Sequence, residues 1–279
     1  MQTGDSVREP AYRAGDLLTI ASVAIVAHIV GTVLHEGAGH GGACLAVGGR
    51  PLLISTVNME CSAGGRLVIA GGTLMNLSAA AVFFGLGRAA RATATVWRYF
   101  CWLSMTVNLL VAAGYFAFSG VGGFGDWAEF VRGFHPQWAW RTGLAVFGCA
   151  LYLAFVRVSL MELRPLIGSD RKQRYRRAVE LSRVPYFAGG MVACVAGALN
   201  PQGWILVALS AAAASFGGGS GLLWMPELLR GGAIPPGAGD EPAALPRSWG
   251  WIAAAVVGAC VFIAVLGPGV RFGAGVPAR

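Results

Sequence analysis

From Leu17 to Leu34 the chain reads LLTIASVAIVAHIVGTVL, with no formally charged side chain and a single histidine, His28. A helical run of that length is long enough to cross the hydrocarbon core of a bilayer. No small-residue cleavage site closes it and a His/Glu cluster follows at once, so it reads as a retained span and not as a signal peptide. Further apolar runs lie at roughly 67–87, 99–119, 142–163, 186–217 and 249–267. The run 186–217 is broken by Asn200-Pro201-Gln202-Gly203, which leaves two short spans, a helical hairpin or one kinked helix open. Of the 279 residues 56% are hydrophobic and 12% charged, well below the charge of an ordinary soluble domain. The fold class expected is an all-α polytopic membrane protein, a bundle of about six or seven transmembrane helices.

Basic loops resist translocation, so Arg and Lys give the orientation. Arg8 and Arg13 precede the first span, Arg88, Arg91 and Arg98 follow the second, and the segment Arg164–Arg183 is strongly basic. Counted alternately, these segments share one side, read as the cytoplasm, with the N-terminus on it. That reading suits a bacterial inner (plasma) membrane. His35–His40 and Gly120–Trp140 then fall toward the opposite face. The net charge of +8 is mostly this bias. The expected partner of Arg164–Arg183, taken as a loop, is anionic lipid, and nucleic acid is disfavoured because only Tyr175 interleaves the basic residues.

The six cysteines show no CxxC spacing, which argues against a thiolate metal site. Cys44 and Cys61 share the non-cytoplasmic segment and could be bridged, although two small buried side chains are the favoured reading. Residues 218–248 are Gly/Pro-rich and read as a loop, with a lid or an amphipathic helix around LLWMPELLR as alternatives.

The chemistry concentrates in His35-Glu36-Gly37-Ala38-Gly39-His40. Zinc hydrolases place two histidines four apart on a helix, about 40° from one another around its axis, with a glutamate between them as general base. Here the separation is five, about 140° on a straight α-helix, and the imidazoles would diverge. A single π-type turn would bring them together, as would a helix that ends near Glu36 and bends at the glycines. Without a metal, the same residues would mark a membrane–water boundary. His28 lies about 10 Å along the axis from His35, too far to share one ion, and reads as a pore or packing residue. His135 reads as interfacial, among Trp127, Trp138 and Trp140 of an aromatic belt.

HEGAGHGGACLAVGGRP resembles the first motif of the site-2 protease family of intramembrane zinc metalloproteases. VIAGGTLMNLSAA (Val68–Ala80) is similar to that family's small-residue turn and Asn-bearing helix, and SGVGGFGDWAEF (Ser119–Phe130) sits where the family supplies an aspartate. This is a divergent pattern, HExxxH in place of HExxH, and Gly125-Asp126-Trp127 lacks the family's Asp-Gly pair. The resemblance implies Zn2+ held by His35, His40 and Asp126, water activation by Glu36, and Asn76 hydrogen-bonded to the substrate backbone or the oxyanion. It implies a membrane core over residues 1–165; residues 166–279 lie beyond the resemblance and read from composition and charge as a basic cytoplasmic loop and C-terminal transmembrane region of unknown role. The substrate would be a transmembrane or membrane-associated protein, unwound near Gly64-Gly65 and Gly71-Gly72 or added as a strand beside PLLISTV. Read on its own, Asp126 is equally an N-cap, Glu129 is a rival third ligand, and Asn108 is an interhelical amide. The alternatives in function are a catalytically inactive scaffold or regulator with the same bundle, and a metal or proton transporter using His28, His35, Glu36 and Asp126.

Overall fold

An apolar helix needs a polar group to satisfy its first amides, and Asp16 provides one for α1 (Leu17–Val33) by accepting from the Thr19 N–H at 2.8 Å. The computed structural model describes residues 15–201, 203, 207–230 and 244–272, which leaves Arg8, Arg13, Gln202 and most of the linker before Ala244 outside the described residues. A π-helical segment, Leu34–Gly41, and α2 (Gly42–Ala46) continue α1 without a break. The hairpin β1 (Pro51–Ile54) and β2 (Met59–Cys61) follows, then α3 (Arg66–Ala89), α4 (Thr95–Gly122), the short α5 (Asp126–Phe130) and α6 (Gln137–Ile167). Next come α7 (Arg171–Ala198), a second π-helix (Val207–Gly217), α8 (Gly221–Arg230), α9 (Trp249–Val261) and β3 (Val270–Arg271).

Among the described residues the chain is all-α apart from one small sheet. Five helices among the described residues are long and apolar enough to cross a membrane: Leu17–Ala46, Arg66–Ala89, Thr95–Gly122, Gln137–Ile167 and Trp249–Leu266, which is consistent with a membrane protein. The run 186–217 takes the hairpin form, since α7 and the π-helix Val207–Gly217 pack against each other across the Asn200-Pro201 break. The segment Arg164–Arg183 is not the loop expected. Its basic residues end α6 and open α7, because Arg and Lys are good helix formers and Asp170 caps α7 by accepting from the Gln173 N–H at 2.8 Å. The stretch LLWMPELLR is helical in α8, with Leu222, Met225 and Leu229 buried.

The core gathers around α4, which packs on α1, α3 and α6 and buries Tyr99, Leu103 and Leu110. Residues beyond 166 pack into the same body, with α1 against both α7 and α9. One end of the bundle is tied by charge. Arg88 of α3 makes a bidentate pair with Glu162 of α6 at 2.8 and 3.2 Å, Glu180 of α7 accepts from the Gly15 N–H at 3.3 Å, and Arg247 before α9 meets Asp16 at 2.9 Å. His35 lies about 27 Å along the first helix from that end.

At the other end the sheet runs β2-β1-β3, all antiparallel. Both edges of β1 are therefore paired, which overturns strand addition beside PLLISTV. Cys44 of α2 and Cys61 of β2 form a disulfide, not two separate buried thiols, because the hairpin folds β2 back onto α2. Alkylation of denatured, unreduced protein should block four thiols, those of Cys101, Cys149, Cys194 and Cys260, and leave Cys44 and Cys61 unmodified until a reductant is added. Peptide mass spectrometry reads this directly, and six blocked thiols would contradict it.

Candidate metal centre

The extra residue of HExxxH is absorbed by the π-helix Leu34–Gly41, the first of the two routes open from spacing. The Gly42 N–H reaches the Gly37 carbonyl five residues back, the hydrogen bond that defines a π turn. As a result the Nε2 atoms of His35 and His40 lie 3.2 Å apart, both side chains buried.

What holds the turn is a close approach to α3. A methyl group at Gly39 would lie 2.7 Å from the Gly71 carbonyl oxygen and the Gly72 Cα, so this contact is made backbone to backbone. A side chain on Gly72 would overlap both imidazoles. The Gly71-Gly72 pair makes the space in which the histidines meet.

Asp126 supplies the third group, with Oδ2 at 3.5 Å from His35 Nε2 and 3.4 Å from His40 Nε2. It does not cap α5, whose N-cap is Gly125, and its Oδ2 is buried without a hydrogen-bond donor among the described residues. Desolvation raises the pKa of this carboxyl and the two imidazoles beside it lower it by more, so it is held below the ordinary carboxylate range. Glu129, the rival ligand, pairs with Arg132 and faces away.

Three ligand atoms on a tetrahedral ion bound at about 2 Å stand about 3.3 Å from one another. The observed separations of 3.2, 3.4 and 3.5 Å fit that requirement, and the group could hold a metal ion. The tautomer is arranged for it at His40, where Nδ1–H donates to the Val68 carbonyl at 2.7 Å and leaves the Nε2 lone pair free.

Several supporting residues carried no signal in the sequence. Tyr115 of α4 stacks on His35 at 4.9 Å and 17°. Trp127, expected in an interfacial belt, turns inward, donating from Nε1 to Thr73 Oγ1 at 3.0 Å and stacking on Phe116 at 4.3 Å. That pins α5, and with it Asp126, to α3 one residue beyond Gly72. His135, Trp138 and Trp140 are exposed.

Glu36 is buried beside the three ligands and lines two cavities. The larger, about 1010 Å³, is shared with His35, His40 and Asp126 and reaches Asn58 and Met59 of the hairpin and Tyr152 of α6. The smaller, about 60 Å³, is lined by Asn76, Asn108, Tyr115 and His28. Asn76 is buried with its Oδ1 unpartnered, as is the Oδ1 of Asn108, whose Nδ2 donates to the Ser104 carbonyl at 2.7 Å. His28 stands apart from the ligands, its Nδ1–H donating to the Ala24 carbonyl at 2.9 Å.

Two substitutions test this architecture through metal content measured by elemental mass spectrometry. Gly72→Ala should separate the imidazoles and abolish stoichiometric metal, with an overpacking cost of about 1–3 kcal/mol in stability. Trp127→Phe keeps the ring on Phe116 but loses the N–H, and should weaken metal affinity roughly ten-fold in a chelator competition while leaving the melting temperature close to wild type. Unchanged metal binding in either variant would contradict the assigned geometry.

Compared with known proteins, the chain matches no family model, no curated protein and no solved structure, so its chemistry is read from the centre itself.

Proposed function

We propose that the protein is an intramembrane zinc metalloprotease, a divergent relative of the site-2 protease family, that hydrolyses peptide bonds of membrane-embedded substrates. The observation that carries this reading is the convergence of His35, His40 and Asp126 at 3.2–3.5 Å with Glu36 adjoining them in an open cavity. Two imidazoles and a carboxylate in tetrahedral spacing favour zinc over the hard cations that prefer all-oxygen sites.

When bound, zinc would supply Lewis acidity, lowering the pKa of water and polarising a peptide carbonyl. Glu36 would take the proton from water and return it to the departing amine, and its enclosure in the bundle suits a carboxyl that has to change protonation state. Asn76, with a buried carbonyl oxygen lacking a donor, would orient the substrate amide from the side of the smaller cavity. Asp126 and the His40–Val68 bond would hold the ligands in place while this happens. A scissile segment has to be extended, because helical peptide bonds are shielded by their own hydrogen bonds. With both edges of β1 filled, the strand available to it is β2, whose Met59 lines the larger cavity together with the preceding Asn58.

The proposed setting is a bacterial plasma membrane with the basic end cytoplasmic, which puts the disulfide end on the oxidising side. The basic residues of Arg164–Arg183 would face anionic lipid there.

Glu36→Gln separates this reading from its rivals. Detergent-purified wild type should carry about one zinc per chain and cut a model transmembrane peptide with a Gly/Asn-rich unwound segment, and chelation should stop it. Glu36→Gln should retain the zinc and lose roughly 10²–10⁴-fold in turnover. Equal cleavage by the variant would remove Glu36 as base. Zinc-loaded protein that cuts nothing would favour the scaffold, and proton or metal flux in proteoliposomes that is lost in the variant would favour the transporter.

A further inference from the structure

At the basic end of the bundle, away from the metal centre, a cavity of about 460 Å³ opens between α3, α4 and α6. Its inner wall is apolar, formed by Cys101, Trp102, Met105 and Leu166, all buried. The Trp102 indole N–H is already spent on the Ser159 carbonyl at 2.8 Å, so the ring offers the cavity only its apolar surface. The rim carries three arginines, Arg88, Arg98 and Arg164, against one carboxylate, Glu162.

These groups do not cancel. Glu162 is committed to Arg88 in the bidentate pair, and Arg88 also lies over the Phe84 ring at 5.0 Å. Half-buried Arg98, on the first turn of α4, forms no ion pair with any described residue. The rim is thus net positive, and its positive charge sits at the ends of apolar helices. Phe84 and Met161 flank the opening and are each 40% exposed, so the cavity leads onto an outward apolar surface and not into an aqueous cleft.

We propose that this cavity is a binding site for one anionic phospholipid, its phosphate on Arg98 and the adjoining rim and an acyl chain entering over Phe84 and Met161 toward Trp102 and Met105. A soluble anion would need no apolar floor, and a zwitterionic lipid would gain little from a net-positive rim. A built site between three helices differs from diffuse attraction along Arg164–Arg183, because it selects one molecule and wedges α3 against α6 beside the Arg88–Glu162 pair. The proposal rests on the membrane setting above and is independent of the protease chemistry.

The test is native mass spectrometry of the full chain in mild non-ionic detergent, supplied with equal amounts of phosphatidylglycerol and phosphatidylcholine. One phosphatidylglycerol should be retained in preference to phosphatidylcholine. Arg98→Ala should weaken retention roughly five-fold, the equivalent of about 1 kcal/mol for one interfacial arginine, and Arg98→Ala with Arg164→Ala should weaken it further. Arg91→Ala, an exposed charge at the same end outside the cavity, should have no effect. Equal retention of both lipids, or equal losses from Arg91→Ala and Arg98→Ala, would overturn the site. Displacement by millimolar inorganic phosphate would overturn the lipid in favour of a soluble anion. Release of the protein from its native membrane by carbonate without detergent would instead overturn the membrane setting itself.

Discussion

Two imidazoles five residues apart can meet at one point only if the helix carrying them gives up its 3.6-residue period. The segment Leu34–Gly41 does so, and the rest of the metal centre is arranged around that departure. A π turn is wider than an α turn and is seldom stable alone. Here its backbone is pressed against Gly71 and Gly72 at a distance no side chain would permit. The same glycines that secure the turn also leave the space into which His35 and His40 project, so the irregular helix and the pocket beside it are one packing solution. Thr73 extends the arrangement by holding Trp127, and through it the helix that begins with Asp126.

The hairpin performs a parallel task at the end of the bundle opposite the charged one. The Cys44–Cys61 bridge joins the end of the first helix to β2, and β3 returns near the end of the described chain to pair with β1 through Leu53↔Arg271 and Ile54↔Val270. The sheet is small, and isolated hairpins of this size are marginal in water. Its covalent tie and third strand explain how Asn58 and Met59 can form a defined wall of the larger cavity.

Much of this was legible in the sequence because long apolar helices declare themselves by length and hydropathy, and because 3.6-residue arithmetic exposes an HExxxH pattern as a geometric problem with few solutions. Which solution is taken was not legible, since the deciding contact comes from Gly71 and Gly72, some thirty residues away in the chain. Asp126 could be located as a candidate but not distinguished from an N-cap or from Glu129, because that depends on where Trp127 turns. Tyr115 has no local pattern at all; it is one aromatic among many on an apolar helix until His35 is found stacked on it. Reading Arg164–Arg183 as a loop gave charge too much weight and helix propensity too little. Arg177, buried and paired with Glu180 at 3.1 Å, shows a basic segment used for packing.

An acid and two imidazoles inside an apolar bundle raise a question of solvation. Unpartnered buried polar atoms cost about 1–3 kcal/mol each, and Asn76 Oδ1, Asn108 Oδ1 and Thr56 Oγ1 all lack protein partners in the described structure. All three residues line the smaller cavity on one side of Glu36. Its volume of about 60 Å³ is room for roughly four waters, which would supply the missing bonds. Glu36 and His35 therefore stand between the two cavities, and the larger one also reaches His40 and Asp126. This layer lies between a charged end tied by Arg88–Glu162 and Arg247–Asp16 and an opposite end closed by the hairpin. Each polar group buried at that depth carries a desolvation cost, which partners within the layer and water in the two cavities would offset.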